Sequence, residues 1–224
     1  MLPPEARSHQ ARPPGRSYTG AMPMTRAELE TFRGVPLPDE IGPGVRLLFV
    51  GVNPGLRSAA VGAAFANRGN RFWKALHAAG ITGQVFDTSA GFAAADRDEL
   101  YGRGVGLTTL VPGATARADE LSDDQLRAGR AELVTRVTAV RPAVVAMLGI
   151  TAFRVAFDRP RAVPGEQPEL IGPARLWVVP NPSGLNAHAT VESLGGAYRA
   201  AAAAAGVPLL TPEGPPRPPS GRPP

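Results

Sequence analysis

No cysteine occurs among the 224 residues. That absence excludes disulfides, iron–sulfur clusters, thiolate zinc sites and cysteine nucleophiles together. Lysine is almost missing too: of 24 basic residues, only Lys74 is not arginine. Histidine is scarce, and His77 and His188 have no third ligand placed by spacing, so no metal site is expected. No run of about 18 apolar residues exists to span a membrane. The first 22 residues lack the apolar core of a secretion signal. A soluble, cytoplasmic protein is therefore expected. Phosphate loops are missing as well: there is no GxxxxGK[ST], and no GxGxxG opening a helix after a strand. This argues against a small-molecule nucleotide enzyme.

What is present begins with charge. The formal net charge is +5 and the isoelectric point is near 10.6. Residues 1–34 contribute +2 and residues 207–224 contribute +1, leaving only +2 for residues 35–206. Bulk basicity thus admits a polyanionic partner without naming one. The arginine excess also accompanies abundant Ala, Gly and Pro, as expected of GC-rich coding. Residues 1–22 are polar and proline-punctuated and read as a disordered tail. Residues 207–224 carry eight prolines, which cannot hold a helix, and read as a second, polyproline-like tail. One domain is expected over 23–206.

Within that span strands and helices alternate. Thr25-Arg26-Ala27-Glu28 has capping-box spacing and opens a short helix ending near Gly34. RLLFVG (46–51) is a continuous apolar run, the mark of a buried parallel strand. Residues 70–79 predict a helix with Phe72, Trp73 and Leu76 inward, and 105–111 a shorter strand. Ser122-Asp123-Asp124-Gln125 is a second capping box, opening a helix to Pro142. AVVAMLG (143–149) predicts a strand, 151–157 a helix, RLWVVP (175–180) a strand and 190–205 a helix. The order implies a three-layer α/β/α domain with a central, mainly parallel sheet.

In such sheets ligands bind beyond the carboxyl ends of the strands. Two strands there run into similar sequences, Val52-Asn53-Pro54-Gly55-Leu56 and Asn181-Pro182-Ser183-Gly184-Leu185. Each places a short amide side chain and free backbone N–H groups at one sheet edge, and its glycine permits close approach of a ligand. Asn-Pro-Gly is also ordinary turn chemistry; the repetition at the functional edge is what favours a site. After the first loop a long stretch of small residues surrounds Phe65, leaving room for a flat ring to stack on it.

GVNPG, the spacing to Phe65, NRFWKAL, GLTTLV, DELSDDQLRAGRAEL, VVAMLG and LWVVPNPSGL together resemble the mismatch-specific uracil/thymine-DNA glycosylase family, within the uracil-DNA glycosylase superfamily. The resemblance covers roughly residues 44–203. It implies a monofunctional enzyme that flips a base out of double-stranded DNA and cleaves its N-glycosidic bond without a cofactor. Asn53 would position the attacking water; an amide cannot ionise, so orientation rather than deprotonation is its role. Phe65 would stack on the flipped pyrimidine, and Val52 and Ser58 would bound the pocket. Gly184 and Leu185 would enter the duplex, with Leu185 as the wedge. Asn186 would touch the orphaned base or a phosphate, while Asn181, Pro182 and Ser183 hold the loop.

The implied function is excision of uracil, with thymine or damaged pyrimidines as further substrates, opposite guanine in base excision repair, by a monomer acting at the nucleoid. Two positions depart from the family pattern. Thr109 stands where members carry a longer polar side chain, and Ala187 where a basic residue can occur, so slow, product-inhibited excision is expected. The alternative is a non-catalytic mismatch or abasic-site binding protein on the same fold. Arg71 and Lys74 read equally as phosphate contacts or a solvated helix face. Asp96, Asp98, Glu99, Asp123 and Asp124 read as helix-start and surface charges.

Overall fold

The computed structural model describes residues 24–187 and 189–211. The whole of the 1–22 tail, most of the 207–224 tail, and His188 lie outside them. The first helix, α1 (Arg26–Glu30), is opened by Thr25, whose hydroxyl accepts the Glu28 N–H while Glu28 reaches back to the Thr25 N–H. Five strands follow: β1 (Leu47–Gly51), β2 (Val105–Thr109), β3 (Val144–Leu148), β4 (Gly165–Ile171) and β5 (Ala174–Val179). They form one sheet in the order β2-β1-β3-β5-β4, parallel throughout except for β4 against β5. The α/β/α expectation therefore holds.

Alternation along the strands divides the core into two layers. Leu47, Phe49, Ala146 and Leu148 point to one face, against α3 (Phe72–Ala78) and α7 (Val191–Ala204). Leu48, Val50, Val145 and Met147 point to the other, against α5 (Asp123–Val140) and α6 (Ile150–Ala156). Burial on both faces explains why these strands read as unbroken apolar runs. The second capping box is present as expected, with Gln125 N donating to Ser122 Oγ.

Three elements depart from the sequence reading. The small-residue stretch after Pro54 contains a helix, α2 (Leu56–Val61), closed by Gly62 in the left-handed conformation. Its alanines favour helix, but no side chain caps it, so the usual start signal is missing. A further helix, α4 (Ala94–Gly102), also lacks a side-chain cap. The edge strand β4 was hidden by Pro168 and its charges, which suit an edge and not a central strand. At the far end the packed chain runs past 206: Val207 is buried and Leu210 N donates to Gly80 O at 2.7 Å.

The outer edge of β2 is covered by the segment before β1. Glu40 and Leu107 exchange both backbone hydrogen bonds, at 2.9 and 2.7 Å. The Glu40 carboxylate receives Arg97 through two nitrogens, at 2.7 and 2.8 Å, and Tyr101 Oη at 2.7 Å. Burial alone would raise its pKa. The hydrogen bonds from Arg97 and Tyr101 and the Arg97 charge outweigh that, and hold it below the ordinary carboxylate value. Tyr101 is pushed up to about 12, by burial first and by its bond to Glu40 second. No helix among the described residues is long and apolar enough to cross a membrane.

Candidate active site

From β1 the chain crosses to β2 on one side and then to β3 on the other, so the strand order reverses at β1. A crevice opens beyond the strand ends at such a point. Here it is a cleft of about 1000 Å³ bordered by both Asn-Pro loops. Gly149, at the end of β3, stands between them with φ +118°, and a Cβ there would lie 3.3 Å from Asn181 Nδ2. A side chain at 149 would therefore strain the backbone and press on the second loop.

Asn53 is half-buried at the cleft wall. Its Nδ2 donates to Gly113 O at 3.1 Å, Pro54 O at 3.2 Å and Thr115 Oγ1 at 2.7 Å. The two carbonyls can only accept. The Thr115 hydroxyl has already given its proton to Arg117 O at 2.7 Å, so it too accepts from Asn53. The amide can satisfy these partners in one orientation only, with nitrogen inward. Oδ1 is left with no protein partner among the described residues and serves as a fixed, neutral acceptor. Gly113 and Thr115 were not found from sequence. They lie 60 and 62 residues from Asn53, and the only local hint is a turn-forming PGAT stretch after β2.

Phe65 also lines the cleft. Its ring stacks on Phe72 at 3.8 Å between centroids and 22° between planes. Phe72 is fully buried, so one Phe65 face has a rigid backing. The residue adopts φ +57°, a conformation that costs a bulky side chain about 1–3 kcal/mol. Its neighbours hold it there: Trp73 Nε1 donates to Ala64 O at 3.2 Å, and Ala66 N donates to Ser58 Oγ at 3.2 Å. Ser58 lines the cleft but its hydroxyl oxygen is committed to this pin. Val52 lines it through its main chain, since its side chain belongs to the α5/α6 core layer and its carbonyl accepts Val111 N. Thr109 is half-buried at the end of β2, and its methyl group would lie 3.6 Å from a Cβ on Gly51.

The second loop is built differently. Asn181 Oδ1 accepts Ser183 N at 2.9 Å, Ser183 Oγ accepts Leu185 N at 3.3 Å, and Asn186 Nδ2 donates to Asn181 O at 3.0 Å. Pro182 is buried. Gly184 passes so near the 67–70 loop that a Cβ would lie 2.8 Å from Gly69 O, so only glycine fits without a shift. At the tip Leu185 is 77% exposed, more than any other large apolar residue described. It therefore does not pack internally.

Charge around the cleft is lopsided. Asp39, Glu40, Asp119 and Asp123 lie toward the β2 and α5 side, with Arg117 the one cation. Asp39 accepts from Thr108 Oγ1 at 2.6 Å and pairs with Arg136 at 2.9 Å, and Asp119 pairs with Arg117. The walls from residues 51–58, 64–70 and 180–186 carry no charged lining residue. Of the other acids, Asp96 is buried, contrary to the surface expectation, and accepts from Gln84; Glu99 accepts from Gly83 N, Asp124 pairs with Arg127, and Asp98 is exposed. Of the two cations left open by the sequence, Lys74 is exposed, whereas Arg71 is half-buried and turned into the second loop. His77 Nδ1 faces Thr82 O at 3.1 Å. Among the described residues no three metal-ligating side chains converge.

A family model described as the uracil DNA glycosylase superfamily matches residues 38–202 of the chain. Among solved structures, the chain is similar to the solution NMR structure of a Methanosarcina acetivorans protein provisionally assigned as a uracil DNA glycosylase. Identity is 17% over 75% of this chain and 96% of that one, with a TM-score of 0.48.

Proposed function

The chain belongs to the uracil DNA glycosylase superfamily, and from that premise we propose that it is a monofunctional DNA glycosylase excising uracil opposite guanine. Thymine and damaged pyrimidines are its further substrates, and the product is an abasic site for base excision repair. The observation that carries the reading is the Asn53 amide at the cleft wall, its nitrogen held by three oxygens so that Oδ1 is left with no protein partner among the described residues. A water accepted there is oriented without being deprotonated.

Reaction requires the nucleotide to leave the helix, at a cost of a few kcal/mol that a mismatch lowers. The flipped pyrimidine stacks on the Phe65 face opposite Phe72. Leu185 fills the vacated space in the duplex, as apolar wedges do. The C1′–N1 bond then breaks and its electron pair leaves with the base, while positive charge develops on the sugar. The water held by Asn53 forms the new C1′–O bond, and the proton it releases passes through solvent to the departing base anion, so that the products are the abasic sugar and the neutral base. Among the described residues Asn186 Oδ1 has no protein partner, and it is an acceptor suited to the N–H groups on the guanine edge and unsuited to phosphate. The uncharged walls of the cleft admit the DNA backbone, and the carboxylates on the β2 and α5 side turn it away. The protein acts as a monomer in the cytoplasm and needs no cofactor.

A G·U duplex assay with alkaline cleavage of the product tests this directly. Release of uracil is the expected result; tight duplex binding without release would overturn it. That second outcome is the signature of a mismatch-binding protein, a reading favoured only by the short Thr109 side chain and by Ala187.

A further inference from the structure

We propose that Arg71 is a positioning residue that locks the 181–186 loop to the base-stacking helix, so that wedge and stacking ring move as one body. The inference rests on the excision reading above and concerns a residue that reading does not use. Arg71 immediately precedes Phe72, the ring that backs Phe65. Its main-chain N–H donates to Pro182 O at 3.0 Å. Its guanidinium donates to Ser183 O at 2.6 Å, to Asn186 O at 2.8 Å and to Ala189 O. Nε alone is buried without a partner. These partners lie more than 110 residues away in sequence.

No carboxylate pairs with Arg71 among the described residues. The loop carbonyls therefore solvate the half-buried cation, and the loop cannot lift off without stripping it of partners. From the other side the buried Tyr198 hydroxyl donates to Pro180 O at 3.1 Å, holding the start of the same loop. The Leu185 side chain projects from the loop so held. A guanidinium so engaged is not free to take a phosphate. A planar fork can bridge several carbonyls at once, which a lysine ammonium on a flexible stem does poorly.

The test is a double-mutant cycle on a G·U duplex with wild type, Arg71→Gln, Leu185→Ala and the double variant. Single-turnover release is read together with the fluorescence rise of a 2-aminopurine placed beside the mismatch, which reports extrusion without chemistry. Arg71→Gln is expected to lower release about tenfold and to reduce the rise, yet to cost less than about twofold in the Leu185→Ala background. Arg71→Lys should recover part of both signals, and the salt dependence of affinity should stay unchanged. Fully additive losses would overturn the proposal, since Arg71 would then not act through the wedge. A salt slope smaller by about one would also overturn it, by making Arg71 a phosphate contact. If Arg71→Gln does not fold, Arg71→Lys carries the same cycle. A wild-type fluorescence rise without base release would refute excision while the fluorescence cycle still decides the role of Arg71.

Discussion

In the loop after β1, the Asn53 amide spends its nitrogen on three oxygens and keeps its oxygen without a protein partner among the described residues. In the loop after β5, the Asn181 amide spends its oxygen on the Ser183 N–H to shape a turn. The dipeptide is the same, and the chemistry is opposite. A free, fixed acceptor can hold water; an acceptor already used by the backbone can only hold the chain. The difference comes from what packs against each loop. The 113–115 segment presents oxygens to Asn53, whereas Gly149 and the loop's own amides surround Asn181. Which amide atom remains unpaired decides the role, and the surrounding fold decides which atom that is.

The largest effect that can break this contrast is removal of the Asn53 amide. Asn53→Ala is expected to lower uracil release about a hundredfold or more, the scale of losing one oriented group in an active site. DNA affinity, read by fluorescence anisotropy, should change less than about threefold, because the wedge loop is untouched. Next is Thr115→Val, which removes the 2.7 Å partner of Asn53 Nδ2. With one anchor gone the amide turns more freely, and kcat should fall about tenfold with KM nearly constant, about 1.4 kcal/mol of orientation. Asn181→Ala should cost about fivefold at limiting enzyme by loosening the turn before Leu185. That loss should largely vanish when enzyme saturates the DNA.

The last effect, on stability and not on base release, concerns the wall that neither loop forms. Glu40 has a folded pKa below its unfolded value, so its contribution to stability is full above the ordinary carboxylate range and fades as pH falls through the depressed value. Glu40→Gln should therefore lose about 2 kcal/mol of stability at pH 7 in denaturant melts. The gap to wild type should close in strong acid. A gap that persisted there would show that packing, not the ionised carboxylate, secures the segment covering β2.

Much of this was legible in the sequence because the signals were local. The capping boxes at Thr25 and Ser122, the apolar strands and the two Asn-Pro loops each lie within a few residues. The exposure of Leu185 was implied by the family resemblance of the second loop and not by spacing. The hidden elements lack local marks: α2 begins at an uncapped glycine, and β4 contains Pro168. The orientation of Asn53 and the role of Arg71 were illegible for a different reason. Both depend on hydrogen bonds across 60 to 118 residues, which no spacing pattern encodes. Basic composition misled mildly, since the cleft is lined by more carboxylates than guanidinium groups.

The most direct test is single-turnover uracil release by Asn53→Ala and Asn181→Ala, side by side on one G·U duplex at saturating enzyme. The predicted result is a loss of about a hundredfold or more for Asn53→Ala and less than about threefold for Asn181→Ala. Equal losses, or near wild-type release by Asn53→Ala, would contradict the assignment of water positioning to the open oxygen of Asn53.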